Sequence, residues 1–163
     1  YSVGSLPADM VSGDWNCDEN QDLAVSNSGD STISLIYGNG SGDFDSTVII
    51  SSASGPRKIV AADFDNDSIM DFVVAHNFLV STSGVSLLTG DFSLTLSDNS
   101  SSNGYGLPVS FAATISEGGS APADLAISDV DNDSKLDILI TLPFNKKLAL
   151  LSGKKYNGNL SCP

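Results

Sequence analysis

The chain has 163 residues, 40% hydrophobic and 17% charged, with 20 acidic against 7 basic side chains and a formal charge of −13. That composition suits one globular domain and excludes a disordered acidic tail, while so acidic a surface excludes phosphate backbones and anionic membranes as natural partners. No apolar run approaches the ~18 residues of a membrane span, and with no basic-then-apolar leader before Tyr1 the sequence reads as a processed or excised soluble piece with no membrane insertion.

In chain order, the first predicted strand follows Pro7 and carries Met10. It runs into the acidic stretch "DWNCDENQD" from Asp14 to Asp22, which leads into a second strand, "DLAVS". A third strand, "ISLIYG" (33–38), ends at Gly38; "GNGSG" (38–42) is a turn, lacking the continuation that a nucleotide loop needs. Phe44 then opens a fourth strand around "STVIIS" (46–51). The same order recurs from Pro56 and Ile59 through "DFDNDSIMD" (63–71), "DFVVA" and "VSLLTG" (85–90) to Phe92 and "FSLTLS" (92–97). A Ser/Gly/Asn-rich stretch, 97–120, reads as a long surface loop with an extra strand at "VSFAATI". The pattern returns a third time from Pro122 and Leu125 through "DVDNDSKLD" (129–137), "DILIT" and "LALLSG" (148–153) to Tyr156.

Three matched copies define a repeat, and short β-branched and aromatic segments between Gly, Asn, Asp and Ser clusters define it as β. The predicted fold is all-β with almost no helix: three four-stranded units like propeller blades, forming an incomplete or open propeller. The chain, 1–163, is a single repeat domain, with unit one at about 1–52, unit two at about 53–97, the long loop at 98–120 and unit three at about 121–163.

Carboxylates this close repel one another unless a cation sits among them. Calcium takes six to eight oxygens at about 2.3–2.6 Å in irregular geometry, and side chains at loop positions 1, 3, 5 and 9 form a suitable cage. Up to three Ca²⁺ ions are expected. An EF-hand is rejected, because that loop ends in a glutamate at its twelfth position where this chain has Val25, Val74 and Ile140. Solvated Asp/Asn turns are the plainer alternative.

With these motifs in view, the chain resembles the FG-GAP or VCBS-type repeats of integrin-α-like β-propellers. The resemblance implies four-stranded blades, one calcium per blade, an extracellular, secreted setting, and adhesion or ligand binding. It implies as ligands Asp14, Asn16, Asp18 and Asp22; Asp63, Asp65, Asp67 and Asp71; and Asp129, Asp131, Asp133 and Asp137. The family usually has glycine at position 6, where Glu19, Ser68 and Ser134 stand here.

No motif of a hydrolase, metalloprotease, kinase or dinucleotide enzyme is present, so the expectation is a non-enzymatic module. His76 is read as the end of a strand and Trp15 as a packing residue. Five Asn-x-Ser sequons, at Asn39, Asn66, Asn99, Asn132 and Asn159, are candidate glycosylation sites, with unmodified turn residues equally open. Cys17 and Cys162 permit one disulfide, within a chain or between chains. Two functional readings follow. One is a calcium-stabilised structural or adhesive module that contacts other proteins, including copies of itself in a filament or matrix, with "YSVGSL" (1–6) donated to a neighbour or completing the last unit. The alternative is a ligand- or carbohydrate-binding lobe of a longer propeller.

Overall fold

The computed structural model describes residues 1–52, 55–63, 70–76, 84–88, 122–143 and 146–152. Its ten strands form three antiparallel sheets, one per sequence unit. Sheet one has the order β1 (Pro7–Gly13), β2 (Asp22–Asn27), β3 (Thr32–Gly38), β4 (Phe44–Ser51). Sheet two contains β5 (Pro56–Ala62), β6 (Asp71–His76) and β7 (Gly84–Leu88), and sheet three contains β8 (Asp124–Ser128), β9 (Asp137–Leu142) and β10 (Lys147–Leu151). No helix longer than a turn occurs among the described residues. The expected strands at 92–97 and "VSFAATI" lie outside them.

The register is the same in each unit: Met10 pairs with Val25, Ile59 with Val74 and Leu125 with Ile140. Because side chains alternate across a strand, the near-continuous apolar run of each second strand serves both faces of its sheet. Phe72 and Val74 pack with Ile59 against Ala24, Ile33 and Leu35 of sheet one. Val73 and Ala75, on the opposite face of β6, pack against Leu125, Ile140 and Leu142 of sheet three. The sheets therefore stack face to face in sequence order, sheet two using one face for sheet one and the other for sheet three. This is the layering of open propeller-like blades, with none of the sheets closed on itself.

Trp15, at the second position of the first acidic loop, is a packing residue: it is 1% exposed and lies with Phe72 of sheet two at a centroid distance of 4.4 Å. His76 is the last residue of β6 and is buried. The first six residues fold back on sheet one. Ser28 and Gly29 donate backbone hydrogen bonds to the carbonyls of Leu6 and Ser5, and the Gly4 amide donates to Ser34 Oγ at 3.2 Å. The expectation that "YSVGSL" completes the last unit is thus corrected. Asp30 and Ser34 offer its backbone local polar partners beside the β2–β3 turn.

Candidate metal-binding loops

Each acidic loop leaves its first strand at a half-buried aspartate and enters its second at a buried one: Asp22 and Asp71 are 0% exposed and Asp137 1%. A buried carboxylate needs donors. Asp22 Oδ2 accepts from the Trp15 amide at 2.9 Å and its Oδ1 from the Gly38 amide at 2.8 Å; Asp137 Oδ2 accepts from the Val130 amide at 2.9 Å. The ninth position thereby ties the start of the loop to its end and, in unit one, to the end of β3.

The rest of each loop winds around its first aspartate. In unit one, the Asp18 and Glu19 amides donate to Asp14 Oδ1 and Oδ2 at 3.1 and 2.8 Å, Asp18 donates also to Asn16 Oδ1 at 3.2 Å, and Asn20 donates to Asp18 Oδ1 at 2.8 Å. Unit three repeats every contact. Asp133 and Ser134 donate to Asp129 at 3.1 and 2.9 Å, Asp133 to Asp131 at 3.1 Å, and Lys135 to Asp133 at 3.0 Å. Two loops of different sequence reach one geometry because the side-chain oxygens at positions 1, 3 and 5 each capture a backbone N–H that follows.

The winding requires left-handed backbone at two positions. Cys17 and Asn132 at position 4 have φ of 59° and 60°, and Glu19 and Ser134 at position 6 have 69° and 66°. Position 6 is left-handed although glycine is absent, and so is position 4, for which asparagine in units two and three is a signal. A left-handed residue other than glycine costs about 1–2 kcal/mol. Ser134→Gly is accordingly expected to raise the melting temperature slightly and Ser134→Val to lower it, in thermal denaturation followed by circular dichroism.

In unit three, ligand atoms of Asp129, Asp131 and Asp137 lie within 4.8 Å of one another, a grouping that can hold a metal ion. Asp133 stands outside this group, its Oδ2 paired with the Lys135 ammonium. Asp18 Oδ2 is similarly engaged by the Asn16 amide at 2.9 Å. Unit one has Asn16 at position 3 and so one carboxylate fewer. Of the second loop, Asp63 and Asp71 are described, while Asp65 and Asp67 lie outside the described residues, as do Asn66, Asn99 and Asn159. The donor set, hard oxygens with one buried carboxylate at the base, fits calcium chemically.

Burial pushes the Asp22 carboxyl above its ordinary value, with Asp18 and Asp14 adding to the rise and the Trp15 and Gly38 amides opposing it. The raised group is a cost to the metal-free fold at neutral pH, and that cost is relieved as pH falls through its raised pKa toward the ordinary ~3.9. A cation removes the same cost at neutral pH. The stabilisation by calcium is therefore expected to shrink as pH falls through the raised pKa of Asp22, as melting curves with and without the ion would record.

Two glycines seat the β3–β4 hairpin on the first loop. A Cβ on Gly38 would stand 2.2 Å from the Gln21 carbonyl, and one on Gly40, at φ 75°, 2.3 Å from Asn20 Oδ1. The segment "GNGSG" is a hairpin turn, as expected, and touches the acidic loop. Gly38→Ala forces backbone apart, with an expected loss of about 1–3 kcal/mol in denaturant unfolding. Cys17 is disulfide-bonded, and Cys162, the sequence's other cysteine, lies outside the described residues. Asn39 and Asn132 are exposed; the Asn39 side chain donates to Asp45 Oδ1 at 3.0 Å and accepts from Ser41.

One set of contacts escaped the sequence reading. Asp9, Lys58 and Asp124 each stand two residues after their unit's proline and line up across the three sheets. Lys58 Nζ lies 3.3 Å from Asp9 Oδ2 and 3.7 Å from Asp124 Oδ1, and Asp9 Oδ2 also accepts from the Ile59 amide at 3.0 Å. Comparing the units position by position would have exposed the acid–base–acid alternation.

Residues 14–74, from the first acidic loop into β6, match the family model of the FG-GAP-like repeat. No curated protein matches the chain.

Proposed function

We propose that this chain, an FG-GAP-like repeat protein, is a calcium-stabilised, non-enzymatic extracellular module that docks other proteins through its blades. The repeat is of the adhesion and ligand-binding type. The observation that carries the calcium reading is the third loop, where three carboxylates converge within 4.8 Å around a scaffold of backbone donors that the first loop reproduces. Asp129, Asp131 and Asp137 would hold the ion there, and Asp14, Asn16 and Asp22 its counterpart in unit one. The ion would supply the positive charge that offsets the clustered carboxylates.

The extracellular setting draws support from the disulfide-bonded Cys17, since such bonds persist in oxidising compartments, and from exposed sequons at Asn39 and Asn132. No helix among the described residues is long and apolar enough to cross a membrane. Protein docking is supported by apolar side chains on the two outward faces of the stack. Met10 and Ile49 of sheet one are 65% and 51% exposed, and Leu148 and Leu150 of sheet three 63% and 47%.

Equilibrium dialysis against calcium tests the proposal. More than one ion per chain is expected, with Asp131→Ala removing one of them and Asp14→Ala having the smaller effect on affinity. Absence of bound calcium at millimolar concentration would overturn the reading.

A further inference from the structure

The first acidic loop departs from the other two at a position that demands much of the backbone. Cys17 stands at loop position 4, where the second and third loops have Asn66 and Asn132. Cys17 and Asn132 are both left-handed, with φ of 59° and 60°. Asparagine tolerates that conformation, whereas cysteine has no such preference. Two positions on, Glu19 is left-handed as well, at φ 69°. Loop one thus bends twice through a conformation that neither side chain favours. It also has the weaker donor set, with Asn16 where loop three has the carboxylate of Asp131. On both counts it should be the less able of the two to keep its winding and to hold an ion.

It is also the loop with a covalent tether, because Cys17 is disulfide-bonded. The sequence has one other cysteine, Cys162. The tether sits immediately before the two amides on which the winding depends: Asp18 donates to Asp14 Oδ1 at 3.1 Å and Glu19 to Asp14 Oδ2 at 2.8 Å. Those amides reach back to Asp14 only while the chain at Cys17 turns through its left-handed setting. A cross-link at Cys17 removes from the metal-free loop many of the conformations in which position 4 has swung away. It thereby reduces the ordering that binding would otherwise have to impose.

We propose that the disulfide at Cys17 sets the calcium affinity of the first loop: the oxidised chain binds an ion there tightly and the reduced chain weakly, while the third loop is indifferent to redox state. The inference rests on the calcium reading above and names the regulation of one of its sites. By linkage the effect is reciprocal, so calcium in the first loop opposes reduction of the disulfide by the factor by which the disulfide raises calcium affinity. Reduction by a dithiol passes two electrons and two protons to the protein's disulfide. Its S–S bond breaks to give two cysteine thiols, and the reagent's two thiols close into a cyclic disulfide.

Calorimetric titration of the whole chain with calcium, before and after dithiothreitol, tests it. One binding step is expected to weaken by about tenfold on reduction, with the remaining binding unchanged. Asp14→Ala should remove the redox-sensitive step, and Asp131→Ala should leave it. Cys17→Asn gives the first loop the residue of the other two; it should bind more tightly than Cys17→Val, and neither should respond to dithiol. The reciprocal measurement is the ratio of disulfide to dithiol at a fixed redox poise, by alkylation and mass spectrometry. Calcium should raise that ratio by the same factor in the wild type and leave it unchanged in Asp14→Ala. A tether serving overall stability alone would lower the melting temperature on reduction without moving this ratio. Equal calcium affinity in the two redox states overturns the proposal and leaves the calcium reading standing; no bound calcium in either state overturns both. If reduction unfolds the chain, the comparison passes to Cys17→Asn and Cys17→Val, shown folded by their melting curves, and equal affinities there overturn it.

Discussion

Chelation of calcium is expected to lower the melting temperature by more than about 5 °C. A ligand bound only by the folded state stabilises it by about 2.7 kcal/mol at a hundredfold excess over its dissociation constant. A chain of this length moves by about 2–4 °C for each kcal/mol. One occupied loop therefore suffices for the effect, and several occupied loops enlarge it. The charge argument points the same way, because removal of the ion leaves Asp129, Asp131 and Asp137 facing one another within 4.8 Å with the third of them buried. Differential scanning calorimetry before and after EDTA, with calcium restored as the control, measures it. Asp131→Ala should remove part of the calcium-dependent increment; after EDTA the loss of one repelling charge is offset by loss of the bond that Asp131 Oδ1 accepts from the Asp133 amide. A melting curve indifferent to EDTA would refute calcium stabilisation outright.

Truncation of Trp15 or Phe72 should be the most damaging single change. Both are fully buried, at 1% and 0% exposure, and they meet across the junction of sheets one and two. Large aromatic side chains removed from such positions cost about 3–5 kcal/mol, a large part of the stability of most domains. Because the two rings share one cavity, the losses should not add: Phe72→Ala in a Trp15→Ala background is expected to cost less than Phe72→Ala alone. Urea unfolding of the three variants gives the comparison. Trp15→Ala should also weaken calcium binding in the first loop, because the Trp15 amide donates to Asp22 and the packed ring fixes where that amide points.

Much of this architecture is legible in the residues. The repetition of prolines, aspartates and apolar triplets locates β1, β2, β3 and their counterparts to within a residue or two, since strand periodicity, turn chemistry and repeat spacing all agree there. The side chains that converge in the third loop were identifiable for the same reason. What the sequence concealed depends on relations between units. Met10, Ile59 and Leu125 read alike as apolar residues at one position, yet the first is exposed and the others buried, because burial is decided by whether another sheet lies over that face. The pairing of Asp133 with the Lys135 ammonium is hidden in the same way, because Lys135 looks like an ordinary turn cation in the sequence. The contacts among Asp9, Lys58 and Asp124 arise only because face-to-face stacking brings together residues 49 and 66 positions apart.

The placement of Trp15 has an optical consequence. It is the chain's single tryptophan, it sits within the first acidic loop, and its ring is shielded from water at the seam with the next blade. Its emission should accordingly be blue-shifted in the folded protein and report on two events at once. Loosening of the first cage would alter the ring's setting, and parting of the two blades would admit solvent and move the spectrum toward the red. A titration of calcium and a ramp of denaturant, both followed at this one native fluorophore, would show whether the cage and the seam come apart together or in succession, with no label added to the molecule.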